Sequence, residues 1–158
     1  MKAISDTGPL IHLNEINSLS SLKIFQEVFV PPEVAKELQN MNRFPGIKQV
    51  QLKQNKSIDK IALIAEKFDI SLAESQAIAL AKELHIENLL TDDLDARDAA
   101  KAVALTPVGT IGIIIASCKK KIISKTECVN RIRNLQTNSS LFVTSELIAY
   151  AIDKINKM

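Results

Sequence analysis

The sequence predicts an α/β fold built on a parallel central sheet, and three observations predict it. Short apolar runs alternate with longer segments of helical periodicity along the 158 residues, the pattern of strands joined by crossover helices. Several of these runs are uniformly apolar, as strands covered on both faces are. The four glycines and five prolines fall mostly at breaks between periodic segments, where chain reversals are expected.

The first strand is expected at Ala3 to Ser5 and is broken by Asp6, Thr7, Gly8 and Pro9. Pro9 is suited to the first turn of a helix over Pro9 to Asn17. A turn or two of helix follows at Leu19 to Phe25, then a strand at Glu27 to Val30. Pro31 and Pro32 open a helix over Pro32 to Asn42, and a third strand is expected at Gln49 to Leu52. Helices over Ile58 to Phe68 and Leu72 to His85 come next, the second opened by a Ser-x-x-Glu capping box at Ser71 and Glu74. Strands at Asn88 to Thr91 and Leu105 to Val108 flank a helix over Ala96 to Val103. From about residue 110 the pattern is helical, over Thr110 to Lys120, Lys125 to Leu135 and Ser145 to Ile155. The length fits one domain over residues 1–158, with one site to find.

Composition narrows the function. Hydrophobic residues make up 46% and charged residues 24%, ordinary for a soluble domain with an aliphatic core. With no Trp and one Tyr, stacking on nucleic-acid bases is not expected to dominate. Cys118 and Cys128 offer neither a metal-type spacing nor a disulfide framework, which fits a reducing cytoplasm. Asp6 interrupts the first apolar run too early for a signal peptide, and no run approaches the roughly 18 residues of a membrane span. The net charge of +2 is unevenly spread: residues 1–100 hold 15 acidic and 11 basic side chains, residues 101–158 hold 3 and 9. An acidic site beside a basic surface that attracts polyanions would produce this split, as would a solvated lysine face such as Lys119 to Lys121.

Ligands of open α/β sheets bind beyond the carboxyl ends of the strands. Asp6 follows the first strand there, and Asp92, Asp93 and Asp95 follow the fourth. Glu33 and Glu37 share one helix face in "VPPEVAKEL", with Glu37 able to turn back toward the strand ends and Glu33 reading as surface. Glu74 lies in the first turn of "SLAESQAIALAKEL", where alanines let the helix approach the sheet. Each acid also has a plain structural reading: Glu74 in its capping box, Asp6 or Thr7 capping the first helix, Asp93 or Asp95 capping the helix that carries Arg97. Taken together they ask for more. Two carboxylates about 4 Å apart repel by roughly 4 kcal/mol at an effective dielectric of 20, so a cluster needs protons or a cation. Mg2+ or Mn2+ accepts oxygen ligands and can activate water against a phosphodiester.

The motifs "SDTGPLIHL", "VPPEVAKEL", "SLAESQAIALAKEL" and "LLTDDLDARDAAKAVALTPVGTIGII", in that order over almost the whole chain, resemble the PIN domain of VapC-type toxins. The resemblance is closest to a branch with Asp-Asp-x-x-Ala-Arg and Gly-Thr-x-Gly signatures. It implies a three-layer α/β/α sandwich with a parallel sheet, and an endoribonuclease that uses Mg2+ or Mn2+. By position, Asp6, Glu37, Glu74 and Asp93 match the family's four acids. Asp6, Glu74 and Asp93 would then hold the ion and Glu37 would orient or deprotonate the attacking water. Asp95 matches an acid that some members add, and Asp92 could replace Asp93, since two neighbours on one corner cannot both point inward. Thr7 or Thr91 could steady a carboxylate or a water, and Arg97 could contact phosphate or form a salt bridge. Glu74 stands where many relatives have Asp, so one firmly held ion is expected, with a second arriving with RNA. The resemblance also implies a small antitoxin partner and a homodimer.

His12, among Leu10, Ile11 and Leu13, reads as helix packing, and His85 as a helix-end cation. "TIGIIIASC" reads as core, and "LIAYAIDKI" as core, dimer surface or antitoxin groove. A haloacid-dehalogenase-like phosphatase would need Asp-x-Asp-x-Thr, and residue 8 is Gly. The rival of another class is a PIN-like module that binds RNA or protein without cutting, its acids structural.

Overall fold

A computed structural model describes residues 1–53 and 56–158. Five strands, β1 (Lys2–Ser5), β2 (Glu27–Val30), β3 (Ile47–Gln49), β4 (Asn88–Leu90) and β5 (Thr106–Val108), form one sheet in the order β3-β2-β1-β4-β5. Every pairing is parallel. The strands alternate with α1 (Thr7–Glu15), α2 (Pro32–Glu37), α3 (Lys56–Phe68), α4 (Leu72–Glu83) and α5 (Leu94–Ala102). The chain then continues through α6 (Thr110–Lys119), α7 (Lys125–Asn138) and α8 (Ser145–Asn156).

The sheet is covered on both faces, giving the three-layer sandwich. Successive residues of a strand point to opposite faces, so Ala3 and Leu90 pack with Leu10, Leu13, Ile113 and Ile132 on one side. Ile4 and Leu89 pack with Ala77, Ile78, Ala81 and Ala99 on the other. This is why the central strands read as continuous apolar runs. The alanine stripe of α4 lets that helix lie against β1 and β4. The apolar "TIGIIIASC" helix is core, with Ile113 and Ile114 fully buried. No helix among the described residues is long and apolar enough to cross a membrane.

Several boundaries differ from the sequence reading. The third strand is Ile47–Gln49 rather than Gln49 to Leu52, because the partners of Val28, Phe29 and Val30 are residues 47 to 49. The second helix stops at Glu37 rather than running to Asn42: Gln39 has φ 59°, and a 3-10 turn, Met41–Arg43, follows. Five other helical segments close on a left-handed residue that is not glycine, namely Asn17, Asp69, His85, Ala104 and Lys121. The amides one residue later, at Ser18, Ile70, Ile86, Leu105 and Ile122, each return to a carbonyl five residues back, the Schellman closure. His85 thus stands at the end of its helix, as expected, and is itself the left-handed residue that closes it.

The two ends of the sheet differ in electrostatics. At the amino ends Glu27 is clamped by Lys2 at 2.7 Å and Lys48 at 2.6 Å, and hydrogen bonds from both hold its carboxyl down at about 2. The carboxyl ends carry the acids.

Candidate active site

The strand order reverses between β1 and β4, the switch point at which open sheets leave a crevice. Asp6 leaves β1 there, its amide donating to the Leu90 carbonyl of β4 at 2.9 Å. Asp92 and Asp93 leave β4 at the same edge. A pocket of about 410 Å3 opens over them, and Asp6, Thr7, Glu37, Glu74 and Asp93 all line it.

Asp6 is the most enclosed of these acids, 7% exposed. It occupies the N-cap position of α1 but makes no capping hydrogen bond, so the capping explanation fails for it. Its carboxyl is pushed up to about 7, chiefly by burial and further by the charges of Glu74, Glu37 and Asp93, against the opposing pull of the Thr7 amide. The repulsion expected of gathered carboxylates is therefore present at this residue.

The other three acids are drawn toward the pocket while bonded to protein donors. The Thr7 hydroxyl donates to Glu37 Oε2, tying the end of α2 to the start of α1. Glu74 completes the capping box: it accepts from the Ser71 amide at 2.7 Å, and its own amide donates to Ser71 Oγ at 3.2 Å. Asp93 caps α5 by accepting from the Ala96 amide at 2.8 Å, and its amide donates to the buried Thr91 hydroxyl at 3.3 Å. The structural roles of Glu74 and Asp93 thus coexist with their placement in the pocket.

Asp92 is turned differently. Its Oδ1 accepts from the Thr110 amide at 2.7 Å, and its Oδ2 from the Thr110 hydroxyl at 2.5 Å and from His12 Nδ1 at 2.8 Å. Asp92 therefore caps α6 from outside that helix and fastens it to α1. Gly109 makes room for this, since a Cβ there would lie 2.9 Å from Asp92 Oδ1. His12 is not simply packed among aliphatic neighbours: it lines the pocket and holds Asp92. Local sequence gave no sign of that bond, because the two residues are 80 apart. Gly109 and Thr110 lay within the Gly-Thr-x-Gly signature without a role assigned to them.

Asp95 is exposed on α5, and neither it, Thr91 nor Arg97 lines the pocket. Arg97 donates through Nη1 to the Thr91 carbonyl at 3.3 Å rather than forming a helix-face salt bridge. Glu33 pairs with Lys36 at 3.1 Å, away from the pocket. Two side chains that the sequence did not single out, Leu141 and Phe142, complete the rim.

The donor set suits a hard divalent cation: the charges of three further carboxylates act on Asp6, and a bound cation is the alternative to a proton on it. Among the described residues, however, no three potential ligands converge on one point. Glu37, Glu74 and Asp93 each accept from a separate protein donor, the Thr7 hydroxyl, the Ser71 amide and the Ala96 amide.

A family model described as PIN domain matches residues 2–157. Among solved structures the chain is similar to a PilT N-terminus domain protein from the hyperthermophilic archaeon Sulfolobus solfataricus. The two are 19% identical, with 74% of this chain and 93% of that one covered and a TM-score of 0.54, which is a likeness of fold. No protein of curated function matches the sequence.

Proposed function

From the premise that the chain belongs to the PIN domain family, whose members are commonly nucleases, we propose that it is a Mg2+- or Mn2+-dependent endoribonuclease. The observation that carries this reading is Asp6, a carboxylate without a capping role, pushed toward neutrality chiefly by its burial and further by three other acids around one open pocket. Carboxylates shifted by burial and by neighbouring charge cluster at functional sites.

In this reading Asp6, Glu74 and Asp93 would hold the ion, which when bound supplies Lewis-acid polarisation of the phosphodiester. Glu37, exposed at the pocket mouth and steadied by the Thr7 hydroxyl, takes the proton of the attacking water at a carboxylate oxygen. Thr91 orients Asp93 through the Asp93 amide. Asp92 and His12 fasten α1 to α6 at the wall of the pocket.

The resemblance further supports a toxin role with a small antitoxin as partner, and a homodimer. The buried, free Cys118 and Cys128 accord with a cytoplasmic location. A second reading, a PIN module that binds RNA or protein without cutting it, is favoured by the separate protein partners of Glu37, Glu74 and Asp93. RNA cleavage with and without Mg2+ or Mn2+, in wild type and Asp6→Asn, decides between them. Metal-stimulated cleavage lost in the variant supports the nuclease, and equal activity in both overturns it.

A further inference from the structure

We propose that Phe142 is a stacking platform for one nucleobase of single-stranded RNA, beside the bond to be cut. The inference rests on the nuclease reading and adds a substrate-binding residue to it. Phe142 is 91% exposed, yet the segment that carries it is tied down on both sides. Glu15 at the end of α1 accepts from the Ser140 amide at 2.7 Å and from its hydroxyl at 3.0 Å, and Val143 is buried. The backbone that carries the ring is thus anchored on both sides.

Its surroundings fit a nucleotide. Phe142 lies on the rim shared by the acidic pocket and a second, largely apolar cavity of about 540 Å3, with Asp92 and Leu141 also common to both. Leu94, 75% exposed, and Arg97 line that second cavity. A phosphate at the acids therefore has an aromatic face next to it for its base, and a guanidinium in the adjoining cavity for a neighbouring phosphate. Single-stranded RNA is bound through this combination of aromatic face and cation. The sequence has few aromatic residues, and one ring serves one base. Stacking is tolerant of base identity, so Phe142 contributes affinity more than base choice.

The absence of tryptophan from the chain supplies the test. Phe142→Trp is made in an Asp6→Asn background in Mg2+, and its emission is followed against a short mixed-sequence single-stranded oligoribonucleotide and an abasic oligomer of equal length. The RNA is expected to quench the emission and the abasic oligomer is not. Phe142→Ala in the same background is expected to bind the RNA roughly tenfold more weakly. Unchanged emission, or undiminished binding by Phe142→Ala, overturns the proposal. So does a loss confined to self-association in sedimentation, which would make the patch an interface between protein chains. Quenching by RNA together with no cleavage by the unsubstituted protein would keep the platform and remove the nuclease reading.

Discussion

His12 Nδ1 donates to the carboxylate of Asp92 at 2.8 Å, joining α1 to the corner after β4. Both side chains are largely enclosed, with 14% and 12% of their surfaces exposed. The same carboxylate accepts the first amide of α6. Removing it would orphan several donors at once. Asp92→Ala is expected to cost about 2–4 kcal/mol in urea unfolding, and Gly109→Ala about 1–3 kcal/mol through the short contact with Asp92. Asp93→Asn should lose far less stability and most of the cleavage activity.

Asp6 links stability to pH. Its carboxyl is raised from 3.8 to about 7, so the folded state holds the proton more tightly than the unfolded chain does. The stabilising contribution is complete below about pH 4 and is lost as the pH rises toward 7. In EDTA, Asp6→Asn is therefore expected to gain on wild type across that window, reaching about 2–4 kcal/mol more stable at pH 8. Unfolding curves at several pH values would show the gap open, and a constant gap would refute the assignment. Mn2+ should raise the Tm of wild type and not that of the variant.

The nuclease reading gives Glu74 a second duty beside its capping box, and substitution can separate the two. Gln can still accept from the Ser71 amide, so Glu74→Gln should keep stability within about 0.5 kcal/mol while losing the charge that faces Asp6. Glu74→Ala removes the box as well and should cost about 1 kcal/mol. Cleavage rates falling similarly in both, with unfolding midpoints that differ, is the expected pattern.

The nuclease reading places Glu37 on the water rather than on the ion. Glu37→Gln should lower kcat by about 100-fold to 1,000-fold while leaving the Mn2+-induced rise in Tm in place. Loss of that rise would make Glu37 a ligand instead.

Ala104 closes α5 with φ 59° on the surface. A Cβ in that conformation costs roughly 1–2 kcal/mol, so Ala104→Gly is expected to stabilise the protein by about 1 kcal/mol in thermal or urea unfolding. Cleavage should be unaffected.

The alternation of buried strands and helices, and the acids that end the first and fourth strands, were legible from the residues alone. They follow from local periodicity and from the position of each break. Helix ends were less legible: the chain closes helices on Asn17, His85 and Ala104, where a glycine would have marked the boundary. Folding brings Ser5 beside Leu90 in register, and only that pairing sets Asp6 and Asp93 around one pocket. It turns Asp92 toward Thr110 and His12 and Asp93 toward Asp6. It also brings Phe142 to the rim, through Glu15 and Ser140, 125 residues apart. Hydrogen bonds over such separations depend on how the layers pack, and the spacing of residues along a helix or strand carries no record of them.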